Sequence, residues 1–164
     1  MRNFHVPGRS SIYSKNGMVA TSHPIAAKVA LDSLNTGGNA IDAALAAAFI
    51  MPICEPHMTG LFGDMFALIK TGDSDKIIGL NSSGKAPKNL NSGLLRSKGM
   101  TRVPADSVHS ITLPGAIKGL ERLALDYSNL GLSVACAPAV YYAEKGIPVA
   151  PRVSFDWTNS AHLL

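Results

Sequence analysis

Cysteine is nearly missing from this chain of 164 residues: only Cys54 and Cys136 occur, far apart, which excludes a disulfide framework and fits buried thiols in a reducing compartment. Long apolar runs are missing too. The longest, Ala40 to Ile53, is interrupted by Asp42 and Pro52 and falls short of the roughly 18–20 residues that span a bilayer, so no membrane association is expected. The opening residues MRNFHVPGRSSIYSKNG contain neither an apolar core nor a small-residue cleavage pattern, which excludes a signal peptide and gives the expectation of a cytoplasmic protein. Clustered charge is absent as well. Although the net charge is +4 and the pI near 9.2, lysine and arginine are scattered singly and form no nucleic-acid-binding motif. What is present, 46% hydrophobic and 16% charged residues without repeats, is enough for one core.

Helix and strand patterns are mixed. Ser22 stands two residues before Pro24 as a helix-capping hydroxyl, and Ile25, Val29, Leu31 and Leu34 follow helical spacing until Gly37-Gly38. Asn39 caps a second, alanine-rich helix from Ala40 to Met51, whose small side chains suit close approach by neighbours. Met65 to Lys70 and Lys76 to Asn81 read as antiparallel strands joined by the turn Thr71 to Asp75. His109 to Thr112 reads as a further short strand, and Pro114 opens a helix to Tyr127 with Ile117, Leu120, Leu123 and Ala124 on one face. A helix from Ser133 ends at Gly146, with Pro138 near its first turns or kinking it.

The stretch CEPHMTGLFGDMF from Cys54 gathers a thiol, carboxylates and an imidazole. As a metal site it is weak, because Pro56 forces extended backbone between Glu55 and His57 and no second ligand pair stands nearby. Its glycines have neither P-loop nor dinucleotide spacing. The structural reading is that Gly60 and Gly63 allow positive φ or close packing before the strand, with His57 and Asp64 bonded to loop backbone. Ser82-Ser-Gly-Lys85 matches an S-x-x-K motif, yet Gly84 and Pro87 oppose the helix that this chemistry needs. No G-x-S-x-G elbow occurs, and no metal or cofactor site emerges. From the residues alone the chain is a soluble α/β or α+β piece without a named reaction.

The segments NGMVATSHPIAAKVALDSLNTGGNAIDAALAAAFIMPICEPHMTGLFGDMFALI, KAP at Lys85, SITLPGAIKGL at Ser110 and APAVYYAEKGIPVAPR at Ala137 stand in the order of the gamma-glutamyltranspeptidase family. The chain resembles the amino-terminal part of that family's large subunit from about Pro7 to Arg152. The resemblance implies an α+β fold of the N-terminal-nucleophile hydrolase type, an αββα sandwich of which residues 1–164 form one amino-terminal segment. It also implies a self-cleaving precursor whose small subunit begins with a threonine. That threonine attacks a γ-glutamyl carbonyl, and the acyl-enzyme passes its acyl group to water or an amine.

No threonine in this segment stands in a matching context, so no catalytic residue is expected within it, and the chain by itself is expected to be inactive. The implied partners are the small subunit, carried by the remainder of its own chain, and a small γ-glutamyl or acyl-amide substrate. Where the family carries F-R-E-x-A-P, with an arginine for the donor's α-carboxylate, alignment on Ala86-Pro87 puts Ser83 at the arginine and Gly84 at the glutamate. Ser83 and Lys85 are therefore the candidate substrate-binding residues, Lys85 as a point charge in place of the lost guanidinium. This departure resembles the branch of the family that lacks the arginine, cephalosporin-acylase relatives included, and implies a donor without an α-amino acid head or weak γ-glutamyl hydrolysis. Three readings stay open: a γ-glutamyltransferase or hydrolase, a cephalosporin-acylase-like amidase, and a non-catalytic truncated paralogue or binding remnant.

Overall fold

A computed structural model describes residues 10–72, 74–105 and 107–160. The chain divides into two compact units, one formed by residues up to Thr59 with those from Tyr127 onward, the other by Gly60–Asp126.

In the first unit, α1 (Pro24–Asn35) buries Ala26, Val29, Ala30 and Ser33, an i, i+3, i+4, i+7 stripe, against α2 (Ala40–Cys54). Its amino-terminal cap is His23, not Ser22: Nδ1 of His23 accepts the N–H of Ile25 at 3.2 Å, while the Ser22 hydroxyl donates to Glu55 Oε2 at 2.8 Å. Asn39 caps α2 as expected, and Asp42 completes a capping box by accepting the Asn39 N–H at 2.8 Å. The helix runs past Met51 to Cys54 because Pro52 lies in its last turn and costs only one late hydrogen bond. Leu45, Phe49 and Ile50 of α2 are buried, each contributing about 1.5–3 kcal/mol, and α2 also packs on α5 (Leu132–Lys145). Pro138 is the seventh residue of α5, in its second turn, so the Val134 carbonyl lacks its helical donor there. Gly146 ends α5 with φ +84°, and α6 (Pro151–Ser160) follows, with Val153 buried.

In the second unit, β1 (Met65–Lys70) and β2 (Ile77–Ser82) form an antiparallel pair, with Met65 opposite Ser82 and Lys70 opposite Ile77. Asp73 of the expected turn lies outside the described residues. Alternation puts Met65, Ala67 and Ile69 on the more buried face and leaves Phe66, Leu68 and Ile77 exposed on the other. After β2 comes α3 (Ser92–Ser97), capped by Asn91, which sequence reading missed. The strand expected at His109–Thr112 is instead a 3-10 turn over Val108–Ser110, because the Ser107 hydroxyl accepts the His109 N–H at 3.2 Å and starts a local turn. In α4 (Ala116–Tyr127) the buried face is Ala116, Gly119, Leu120, Leu123 and Ala124, whereas Ile117 is exposed. Gly119 is what brings α4 onto the hairpin: a Cβ there would stand 2.4 Å from Met65 Cε and 2.6 Å from Ser82 Cβ.

Candidate functional site

Three loops of the second unit cross just beyond β2. Ser82 ends the strand and donates its hydroxyl to the Gly115 carbonyl at 2.7 Å, so the S-x-x-K serine is a strand residue engaged with backbone. Asn81 Oδ1 then accepts the Ser83 N–H at 2.9 Å, which bends the chain out of the sheet. Gly84 passes so close to the next loop that a Cβ on it would lie 1.7 Å from the Leu113 carbonyl oxygen. No other residue type fits there. The Leu113 N–H donates to the Lys85 carbonyl at 2.9 Å, and the N–H groups of Gly115 and Ala116 donate to the Gly63 carbonyl at 3.0 and 2.8 Å.

Asp64 ties these loops together. Its Oδ1 accepts the Gly84 N–H at 2.7 Å and the Thr112 hydroxyl at 3.4 Å, which is the bonding to loop backbone expected of it. Gly60 and Gly63 do not work as expected, since neither has positive φ and a Cβ on either would meet nothing within 4 Å. What Gly63 contributes is its carbonyl, which accepts the N–H groups of Gly115 and Ala116. Ser83 and Lys85, the two candidate substrate residues, are both exposed and flank the pinned Gly84. The strand stops at Ser82, so strand alternation does not place them on one face.

The residues of CEPH go separate ways within the first unit. Cys54 is buried in α2, and burial, with the Glu55 carboxylate adding to it, pushes its thiol up to about 11. Cys136 is likewise a free thiol raised by burial. Glu55 takes the Ser22 hydroxyl, whereas His57 faces α6, accepting from the Trp157 indole at Nδ1 and approaching Asp156 through Nε2. This corrects the expectation that His57 bonds loop backbone. Glu55 and His57 do share a pocket of about 460 Å³ with Ser22, Arg152 and Asp156. Within its wall Arg152 Nε donates to Asp156 Oδ2 at 2.8 Å, and that hydrogen bond holds the Asp156 carboxyl below its ordinary range.

The family model described as Gamma-glutamyltranspeptidase matches residues 26–164. The chain belongs to the gamma-glutamyltranspeptidase family. It is 32% identical over 139 residues to the glutathione hydrolase proenzyme of Bacillus subtilis, covering 82% of this chain and 24% of that protein. To the oxamate amidohydrolase proenzyme of Klebsiella pneumoniae it is 36% identical over 146 residues, covering 85% of this chain and 27% of the other. The crystal structure of cephalosporin acylase from Bacillus halodurans superposes with a TM-score of 0.86 at 43% identity, over 96% of this chain and 30% of that one. The chain thus spans about a quarter of the length of these curated relatives. As a gamma-glutamyltranspeptidase family member it has the α+β architecture of N-terminal-nucleophile hydrolases and corresponds to the amino-terminal part of their large subunit.

Proposed function

We propose that this chain is the front of the large subunit of an enzyme that removes an acyl group from an amide donor and passes it to water or an amine. The supporting observation is the likeness to cephalosporin acylase, which runs through 96% of the chain. In this reading a threonine at the start of the small subunit is the nucleophile. Its hydroxyl oxygen bonds to the acyl carbon while its own α-amine takes the proton, the amide C–N bond breaks, and the leaving amine departs with that proton. Water or an acceptor amine then cleaves the ester and restores the hydroxyl. The amino-terminal segment holds the donor: Lys85 supplies the positive charge for a donor carboxylate and Ser83 a hydroxyl for hydrogen bonding. An ammonium point charge lacks the planar fork of a guanidinium, so a γ-glutamyl head is held less tightly than by an arginine, and acyl donors without an α-amino acid head are favoured in comparison.

The remainder of its own chain, small subunit included, is the proposed partner. The exposed apolar face of Phe66, Leu68 and Ile77 supports this, since such a face calls for a cover. The two free, proton-retaining thiols support a cytoplasmic location. The test is the intact mass, under denaturing conditions, of protein captured from its source with an antibody to this segment, followed by assay with a γ-glutamyl anilide and a glutaryl anilide. Two subunits with turnover support the reading. A single species of 17.2 kDa without turnover overturns it in favour of the non-catalytic alternative.

A further inference from the structure

The Asp64 carboxylate is exposed, yet among the described residues both of its hydrogen bonds fall on Oδ1 and both reach the segments that carry or brace the candidate donor residues: Gly84 N–H at 2.7 Å and Thr112 Oγ1 at 3.4 Å. A backbone N–H donating to a carboxylate is a charge-assisted hydrogen bond, among the stronger single contacts available to a loop. The Gly84 N–H lies between Ser83 and Lys85, so fixing it fixes both neighbours. On its other side Gly84 is pressed against Leu113, and the Lys85 carbonyl is held by the Leu113 N–H at 2.9 Å. The turn is therefore clamped from two sides, one of them Asp64.

We propose that Asp64 is the positioning residue of the donor site: it presets the Ser83-Gly84-Lys85 turn, so that Lys85 and Ser83 meet the donor without first ordering the loop. The inference rests on the proposed substrate role of Ser83 and Lys85. It ties together two features of this chain, the glycine at position 84, which alone permits the crossing, and the acid at position 64, which accepts the N–H exposed by it. A preset loop lowers the entropic cost of binding and leaves the chemical step untouched.

The experiment uses the complete enzyme with its small subunit, assayed with γ-glutamyl p-nitroanilide for wild type, Asp64→Ala, Asp64→Asn and Lys85→Gln. Asp64→Ala is expected to raise KM about tenfold, the equivalent of about 1.4 kcal/mol, with kcat changed less than about threefold. Asp64→Asn, which keeps an acceptor oxygen, is expected to restore most of the loss. Equal losses in Asp64→Ala and Asp64→Asn, or a fall in kcat with KM unchanged, overturn the positioning role. An unchanged KM in Lys85→Gln shows instead that the donor site itself lies elsewhere, which is a failure of the underlying reading. If Asp64→Ala does not mature into two subunits, Thr112→Val serves as the second variant. It removes the weaker brace on the same oxygen, and a fall in kcat there with KM unchanged overturns the proposal.

Discussion

The indole N–H of Trp157 donates to Nδ1 of His57 at 3.0 Å, joining the turn after α2 to a helix one hundred residues later. The bond requires Nδ1 to be unprotonated, and Nε2 then carries its hydrogen toward Asp156 Oδ2 at 3.5 Å. Trp157 is the chain's single tryptophan. A double-mutant cycle of His57→Ala and Trp157→Phe in urea unfolding is expected to give a coupling of about 1 kcal/mol. Additive effects would mean that the contact holds nothing.

Asp42 is the buried charge of the first unit. Burial alone would raise its carboxyl, but the Ser128 hydroxyl and the N–H groups of Asn39, Leu130 and Asn129 outweigh this and hold it below the ordinary range. Asp42→Ala strands three backbone N–H groups and is expected to cost about 3 kcal/mol or more in denaturant unfolding. Because the folded state binds its proton less readily than the unfolded one, this stabilisation is complete above the unfolded value of about 3.9 and is lost as pH falls through the lower folded value. A variant whose midpoint equals that of wild type would contradict this.

His23 is buried, and burial lowers its imidazole below 6.5 although the Glu55 carboxylate pulls the other way. Nδ1 is engaged as the cap of α1, and Nε2 has no hydrogen-bond partner among the described residues. The unfolded chain therefore takes up a proton first. Stability is full above the unfolded value of about 6.5 and declines as pH drops from there toward the folded value. Replacing His23 by Asn, a good cap that does not titrate, should flatten the denaturation midpoint between pH 5 and 7. An equally steep profile in the variant would place the sensitivity elsewhere.

Two glycines of the second unit make a paired test. Gly84→Ala drives a Cβ into the Leu113 carbonyl and should cost about 3 kcal/mol, whereas Gly60→Ala enters open space at an ordinary φ and should be neutral or stabilising by about 0.5 kcal/mol. Urea midpoints of the two variants decide it, and equal effects would refute the crossing.

The features read correctly from sequence are those set by neighbours along the chain. The hairpin follows from β-branched and apolar runs around a polar turn, and the Asn39 cap from its place before an alanine-rich helix. Partners beyond the local sequence explain the errors: both Ser22 and His23 can cap a helix, and the choice falls to His23 because Glu55, 33 residues away, takes the Ser22 hydroxyl. The 3-10 turn at Val108 replaced a strand because no neighbouring strand pairs with it among the described residues. The Asp42 hub was illegible, since its partners lie 86 to 88 residues onward. Of the candidate site, Ser83 and Lys85 came only from family resemblance. Asp64 was visible as a loop-bonding acid, but its target, Gly84, needed the crossing to be seen.

The grip of Asp42 on residues 128–130 also sets an order of events during synthesis. The first unit is discontinuous, and residues 60–126 must leave the ribosome before Ser128, Asn129 and Leu130 can reach the carboxylate. Until then the nascent α1–α2 pair holds a charge that it cannot satisfy beyond its own cap. At roughly 5–20 residues per second, that wait lasts several seconds, so the whole middle of the chain has time to form its local hairpin and helices before the segment that encloses it in sequence is complete.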